Sequence, residues 1–534
     1  MKHGLSPSFI EKGIYLLSPL IFGLLALTQK QDANWDLLNY HYYAGYAFFT
    51  GHWKDDFLPA GLQSTFEPLW NILVYLLIRD FPPPVVGFLF GMLQSLVFIA
   101  IFWISDFYTR SIEPPYRRLW IRLAASASGI YATDFLSELG NTMGDTFSGA
   151  LVLVGLALIL RARETNRLFH WVTSGVFFGV ASGIKYTNGL YFLGILFALI
   201  LNAVLSGGKK FPGILLGLSA SGGFFAAGGF WILALWKRFG NPVFPLYNGI
   251  FHSPYWSNAS FSDLRWFPKS AMEWVFYPFY FTHYHQVMEL SVENYAFTVV
   301  YILTLFLLFF KFLSLFNDAY PFAPFSENER LLLLFFVASF AIWEAVFSYY
   351  RYLAPLEALA PLVIFVLLKD LFTKLHLVLY IGILVFMAFH IQYPDWGRVA
   401  WGKSYFGTKL SSLPPSEKQQ GIVLVGAKPI AFVIPDLGGT YRFIGIVRGE
   451  SVPFVYWKDL LLKNEPSIYL LTTMDQLQDN DRIIVSIGLH LQDPARFCHS
   501  VINRMENNIV FCKLDADGNR LSGYPAQTPS GQRH

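Results

Sequence analysis

Charge is the first thing this chain lacks. Acidic and basic side chains make up 14% of its 534 residues, against about a quarter in a soluble domain, so an ordinary water-soluble fold is excluded. Nucleotide and metal signatures are missing too. There is no GxxxxGK[ST] phosphate loop, which argues against an ATP-driven pump, and no CxxC or HExxH, which removes the commonest zinc frames. Cysteine is nearly absent, with Cys498 and Cys512 the only two. No repeat recurs at a solenoid period, and a net charge of +3 gives no reason to expect a nucleic-acid partner.

What is abundant is apolar sequence, 54% of the chain. It comes in long blocks such as VVGFLFGMLQSLVFIAIFWI, GALVLVGLALIL, GLYFLGILFALILNAVL and LHLVLYIGILVFMAF. About 20 such residues cross a bilayer as helix, and lipid offers no hydrogen-bond partners, so each block must be helical. The expected fold is an α-helical polytopic membrane protein with about eleven transmembrane helices. They fall near 11–28, 83–104, 119–137, 146–161, 169–184, 188–205, 212–236, 294–313, 330–347, 354–369 and 376–392. Lys2 and Lys12 precede the first block and no clear small-x-small site follows it, so it reads as a retained helix rather than a signal peptide.

The cations orient the bundle. With the amino terminus in the cytoplasm, every short inside loop is basic. These loops hold Arg110, Arg117 and Arg118, then Arg161, Arg163 and Arg167, then Lys209 and Lys210, Lys311 and Arg330, and Lys369 and Lys374. Outside lie a large first loop (29–82) with interfacial helices, a second long loop (237–293), and a tail. The expected division is a membrane domain, 1–392, and a small extracytoplasmic α/β domain, 393–534. In the tail, GIVLVGAKPIAFVIPDLGGTYRF and DRIIVSIGL read as short strands, and DPARFCHSVINRM reads as a helix. An oxidising compartment permits a bridge between Cys498 and Cys512; the alternative is two buried thiols.

The first external loop opens DANWDLLNYHYYAGYAFF. Helical spacing over 35–50 puts Asp36, Tyr40, Tyr43 and Ala47 on one face, with Leu37, Leu38 and Tyr42 opposite. For Trp35 and the tyrosines an interfacial aromatic belt is the simpler reading. A carboxylate such as Asp36 beside a bilayer loses hydration and becomes a better base. Further on, YATDFLSELGNTMGD sets Asp134, Glu138 and Asp145 around a short external turn. Carboxylates at that depth usually face a cavity, although Asp145 can equally cap the next helix.

Cations recur at later outer exits: Lys185 in GIKYTNG, Lys237 and Arg238 in WKRFGNPVFPLYNGIFHSPYW, and Arg351 in SYYRYLAPLEAL. Guanidinium and ammonium groups there can hold a phosphate or simply snorkel to headgroups. His283 and His285 in FTHYHQ are candidate metal ligands, though such a pair on an aromatic loop is more often only polar and interfacial.

At these residues the sequence resembles the integral-membrane glycosyltransferases of superfamily C, which include protein O-mannosyltransferases and the lipid A aminoarabinose transferase. WDLLNYHYYAGYAF, GLQSTFEPLWNILVYLL, GIKYTNGLYFL and GNPVFPLYNGIFHSPYW resemble stretches of one bacterial group within it, and the likeness runs to about residue 392. The resemblance implies a bacterial inner-membrane enzyme with a periplasmic C-terminal domain. It implies transfer of a sugar from a polyprenyl-phosphate donor to an envelope glycan, lipid or protein acceptor. It makes Asp36 the base or a metal holder, Asp145 or Glu138 a second acid, and Arg351 a contact to the lipid phosphate. Lys185, Tyr40, His41 and Tyr43 complete the expected substrate-binding set. A divalent metal is the one cofactor left open, with Asp32 and Asp36 as its candidates, because three residues separate them where the family has a tighter acid pair. The competing class is a membrane transporter or flippase of glycan-type substrates, which would place its titratable groups near the midplane of duplicated halves.

Overall fold

The computed structural model describes residues 6–516 except 209, 259–262, 283–286, 315, 317–324, 373, 411–419, 439, 448–466, 492–493 and 506–507. Lys209, His283 and His285 therefore lie outside the described residues.

All eleven apolar blocks are helical. In chain order the helices begin with α1 (Pro7–Thr28), α2 (Tyr42–Thr50) and α3 (Leu69–Asp80). α4 (Pro83–Gln94) and α5 (Leu96–Thr109) form one 27-residue span. α6 (Pro115–Ile130), α7 (Thr133–Glu138), α8 (Asp145–Thr165), α9 (Leu168–Ile184), α10 (Gly189–Leu205) and α11 (Gly213–Phe239) follow. After the short α12 (Asn248–Phe251) and α13 (Ala271–Tyr280) come α14 (Ala296–Ser314), α15 (Glu327–Val346), α16 (Ala354–Leu371) and α17 (His376–Phe389).

Among the described residues, seven helices are long and apolar enough to cross a membrane: Pro7–Thr28, Pro83–Thr109, Asp145–Thr165, Tyr186–Leu205, Gly213–Phe239, Ala296–Ser314 and Tyr350–Leu371. The chain is thus a multi-pass membrane protein. The other four blocks differ for visible reasons. α9 and α17 are apolar but shorter. α6 carries Arg117, Arg118 and Arg122, and α15 carries Glu327, Glu329, Arg330 and Glu344. The block expected as one helix over 119–137 breaks after Ile130 and restarts as α7, so Asp134 and Glu138 sit on a separate helix outside the seven spans.

The chain divides into two compact units. The first comprises Met1–Asn34, Pro83–Phe230 and Ser262–Trp401; the second comprises Trp35–Pro82, Trp231–Phe261 and Gly402–His534. In the first unit α16 is the central post, every side chain from Pro355 to Leu368 being buried. α6 meets it through Gly129, where a Cβ would lie 2.3 Å from the Ala358 carbonyl oxygen. Small residues at such crossings let helices pack without a hydrophobic drive, which lipid does not supply. At one end of this unit Arg163 pairs with Glu327 at 2.9 Å, Arg110 with Glu164, and Lys369 with Glu329. The far ends of α5, α8 and α16 and the start of α15 are therefore gathered together.

The second unit is built on the C-terminal sheet. Its strands are β3 (Lys409–Leu410), β4 (Gln420–Val425), β5 (Thr440–Gly445), β6 (Ile468–Thr473), β7 (Leu489–Leu491), β8 (Cys498–Ile502) and β9 (Ile509–Ala516), while β1 (Gln31–Asp32) and β2 (Arg398–Val399) pair in the first unit. β4 runs parallel to both β5 and β6, and β9 is antiparallel to β6, β7 and β8. Cys498 and Cys512 lie opposite each other on β8 and β9 and are joined as a disulfide. The α/β expectation holds, with two exchanges of element. The stretch expected as a strand around 481–489 is mostly helix α18 (Leu477–Ser486), because its apolar residues face the sheet at helical spacing and Ile484 is fully buried. The stretch expected as a helix over 493–505 keeps only α19 (Pro494–Phe497) before entering β8, which the disulfide and the β9 pairing hold extended.

This sheet also recruits the loop between α2 and α3. Phe57 lies alongside β5, its N–H donating to the Phe443 carbonyl at 2.8 Å and its carbonyl accepting from Gly445 at 2.8 Å. Asp56 fixes the junction: Oδ1 accepts from the Phe443 N–H at 2.9 Å and Oδ2 from the Tyr43 hydroxyl at 2.8 Å. The shared core joins Phe57, Leu58, Trp231, Leu235 and Phe239 to Ile422, Leu424, Ile444, Leu470 and Leu514.

Candidate active site

In the first unit, a tight turn between α7 and α8 sets the acids. Two left-handed glycines, Gly140 and Gly144, reverse the chain there, a conformation that side chains bearing a Cβ resist. Asp32 anchors the turn from β1: its Oδ2 accepts from the Thr142 N–H at 2.9 Å and hydroxyl at 2.8 Å. Arg398, paired with Asp32 across β1 and β2, donates to the carbonyls of Ser137 at 2.9 Å and Leu139 at 3.0 Å.

Asp145 opens α8 but does not cap it, since Gly144 occupies the cap position. Its carboxylate instead meets two cations. Arg351 Nη2 donates to Oδ2 at 2.7 Å, and Lys185 Nζ donates to Oδ1. Lys185 ends α9, and Arg351 stands on the 3-10 turn Tyr350–Leu353 that leads into α16. Trp396 lies 5.0 Å below the Arg351 guanidinium, and Tyr352 lies 5.4 Å below the Lys185 ammonium. Glu138 completes the group: Oε2 accepts from the Thr146 N–H at 3.1 Å and hydroxyl at 2.5 Å, and Oε1 lies 3.9 Å from Arg351 Nε.

Behind these lies a second acid pair. Glu357 on α16 reaches the start of α7, accepting from the N–H groups of Thr133 at 2.9 Å and Asp134 at 3.0 Å. The Tyr350 hydroxyl donates to it at 2.8 Å, and Asn294 donates as well. Asp134 is completely buried, and its carboxyl oxygens accept no hydrogen bond among the described residues. Burying an unpartnered carboxylate is so unfavourable that the group keeps its proton instead. Burial, then the Glu357, Glu138 and Asp145 charges, hold the Asp134 carboxyl well above the usual carboxylate range. Glu138 is pushed up to about 7, first by burial and then by Asp145, against the pull of Arg351. Four acids face two cations here. Below about pH 7, where Glu138 keeps its proton, the front of the cluster holds one anion, Asp145, between two cations.

The other expected residues belong to the second unit. Asp36 is half-buried and opens a π-helical turn, Leu37–His41, before α2. That wider turn shifts the register, so the single face expected for Asp36, Tyr40, Tyr43 and Ala47 does not form: Tyr43 and Ala47 are buried while Asp36 and Tyr40 are half-exposed. Such turns occur often at functional sites. His41 is buried against Tyr40, at 4.3 Å between ring centres, and Tyr40 meets Phe66 edge-on at 5.5 Å. Tyr43 is committed to Asp56, and Tyr42 packs on Phe406 at 4.7 Å, so these two rings serve the interior rather than a membrane belt.

Asp32 is a poor metal ligand. The N–H and side-chain amide of Asn34, together with both donors of Thr142, already surround its two oxygens, which fills the four or so positions a carboxylate offers. Among the described residues no group of three or more His, Cys, Asp or Glu side chains is arranged to hold a metal ion. Sequence reasoning overlooked Glu357, Asn294 and Tyr350. The signal for Glu357 was present, as the one acid in APLEALAPLVIF, and a lone ionisable group inside an apolar span is a functional candidate by default.

No protein-family model matches the chain, and no curated protein matches it. Among solved structures, ArnT from Cupriavidus metallidurans, bound to undecaprenyl phosphate, aligns over 96% of this chain and 99% of its own, at 11% identity and a TM-score of 0.45.

Proposed function

We propose that the protein is a membrane glycosyltransferase that moves a sugar from a polyprenyl-phosphate donor to an envelope acceptor. The single observation behind this is the pair of cations, Lys185 and Arg351, that share the one carboxylate of Asp145. A fixed, partly dehydrated cation pair is what a departing phosphate requires. An acceptor hydroxyl attacks the anomeric carbon, the carbon–oxygen bond to the phosphate breaks, and its electrons go to the phosphate held by Arg351 and Lys185. The family resemblance assigns the base that takes the hydroxyl proton to Asp36, the half-exposed acid that opens the π-turn of the second unit; that assignment rests on the resemblance alone. Asp145 orients both cations, and Glu138 sets the local charge.

The cluster lies at the opposite end of α8 from Arg163, about 27 Å away at 1.5 Å per residue. With the basic ends of the helices in the cytoplasm, the proposed face of action is periplasmic and the membrane is the bacterial inner membrane. The test is a mass-spectrometric comparison of lipid-linked sugars and envelope glycans in strains with and without the protein. Loss of one sugar from an envelope glycan, with its carrier-linked form accumulating, supports the reading; unchanged glycans and carriers overturn it. The buried acids also give a proton-coupled carrier some support. In that case liposomes containing the protein accumulate a glycan substrate only under a pH gradient.

A further inference from the structure

The loop after α11, residues 240–257, is built as a rigid frame around two buried asparagines. Asn241 accepts from the Val243 N–H at 3.0 Å and donates to the Leu246 carbonyl at 2.9 Å. Asn248, wholly buried, accepts from the Ser253 N–H at 2.8 Å and donates to the carbonyls of Ser253, Trp256 and Ser257 at 3.0–3.1 Å. Phe244 stacks on Phe239 at 4.1 Å between ring centres and ties the frame to the end of α11. The single turn α12 is bounded by Tyr247 and His252, both with φ of 53°, which is uncommon for residues other than glycine.

This frame holds apolar side chains outward. Tyr247 is 56% exposed, Ile250 68% and Phe251 39%. Buried polar groups and two left-handed residues fix them there, which is the opposite of what a loop in water would do with a Tyr-Ile-Phe tip.

We propose that the tip is a membrane-interface anchor, with Tyr247, Ile250 and Phe251 inserted at the boundary between lipid headgroups and acyl chains. The occupant is lipid because the loop leaves the end of a membrane-spanning helix and is held there by the Phe244–Phe239 stack. Leu233 and Trp236, in the last turns of the spanning helix α11 and the same compact unit, are each 57% exposed. Trp and Tyr favour this depth, an apolar face set there is held by its buried area, and Lys237 beside Trp236 is exposed for headgroup phosphates. The proposal rests on the membrane reading and not on sugar transfer, so the two fail separately.

Both native cysteines are bonded to each other, so Ile250→Cys in the full chain supplies one free thiol on an exposed side chain. We would label it with an environment-sensitive fluorophore and reconstitute the protein in phosphatidylcholine and phosphatidylglycerol liposomes. The expected result is a blue-shifted emission, quenched at least twofold by nitroxide placed shallow on the acyl chain and little affected by aqueous iodide. Ser486→Cys, exposed on α18, serves as the water-facing reference, and Tyr247→Cys repeats the reading if the first label disturbs folding. Water-like emission with iodide quenching at 250 overturns the proposal. A blue shift without lipid quenching also overturns it, because that marks a protein partner.

Discussion

Two buried acids, one in each unit, are held in opposite ways. In the second unit Asp56 is nearly inaccessible and both its oxygens are satisfied, by the Phe443 N–H and the Tyr43 hydroxyl. In the first, Asp134 is at least as deeply buried and accepts nothing among the described residues, while Glu138 leaves one oxygen to a long contact with Arg351. A carboxylate with protein donors on every side is a structural pin. One left short of donors, next to other acids, is a group that keeps its proton. Asp56 and Asp134 therefore have opposite expected phenotypes.

The largest effects are on catalysis. Asp36→Asn removes the proposed base and is expected to lower transfer by 10²–10⁴-fold, with expression and folding retained. Arg351→Met is expected to cost about 10²–10³-fold while Lys185 still neutralises Asp145. Both are read as transfer rates in proteoliposomes, and near-normal rates would remove the site. Next comes stability. Asp56→Ala strands a buried N–H and a buried hydroxyl, so it should destabilise the second unit by about 2–4 kcal/mol, seen as a lower melting temperature in detergent. Asp134→Asn should shift that temperature little, within about 1 kcal/mol, yet reduce activity. If the two variants behave alike, the contrast drawn between the acids is wrong.

The smallest effect is a pH dependence. Glu138 is protonated below about 7 and ionised above it. Ionisation adds a negative charge beside Arg351 and cancels the spare positive charge, so the donor KM should rise as pH passes from 6 to 8. Glu138→Gln should flatten that rise; a rise that persists in the variant would assign it elsewhere.

The helices were legible because lipid forces every apolar block into one conformation, and even the four blocks outside the seven spans formed helices. Asp134, Glu138 and Asp145 were legible as a cluster because a short turn keeps them together. Arg351 and Lys185 stood out as cations at helix ends, but nothing local said that they would share Asp145. The π-turn at Leu37–His41 was hidden, since one extra residue in a turn leaves no mark on composition. The stretch that became α18 misled because Ile483, Ile484 and Val485 are β-formers in sequence. Their helix is selected by packing on a sheet whose other strands are distant in the chain.

The alignment of Phe57 with β5 bears on how the molecule is made. Phe443, the partner of Asp56, is made 387 residues after it, so this contact is strongly non-local, and such contacts form late. Until β5 has been made, the stretch that carries Asp36 lacks the strand that Phe57 lies along. A chain stopped short of β5 would keep its membrane helices but leave that stretch without its neighbour, so truncation before Thr440 should disable the protein even though every membrane helix is present.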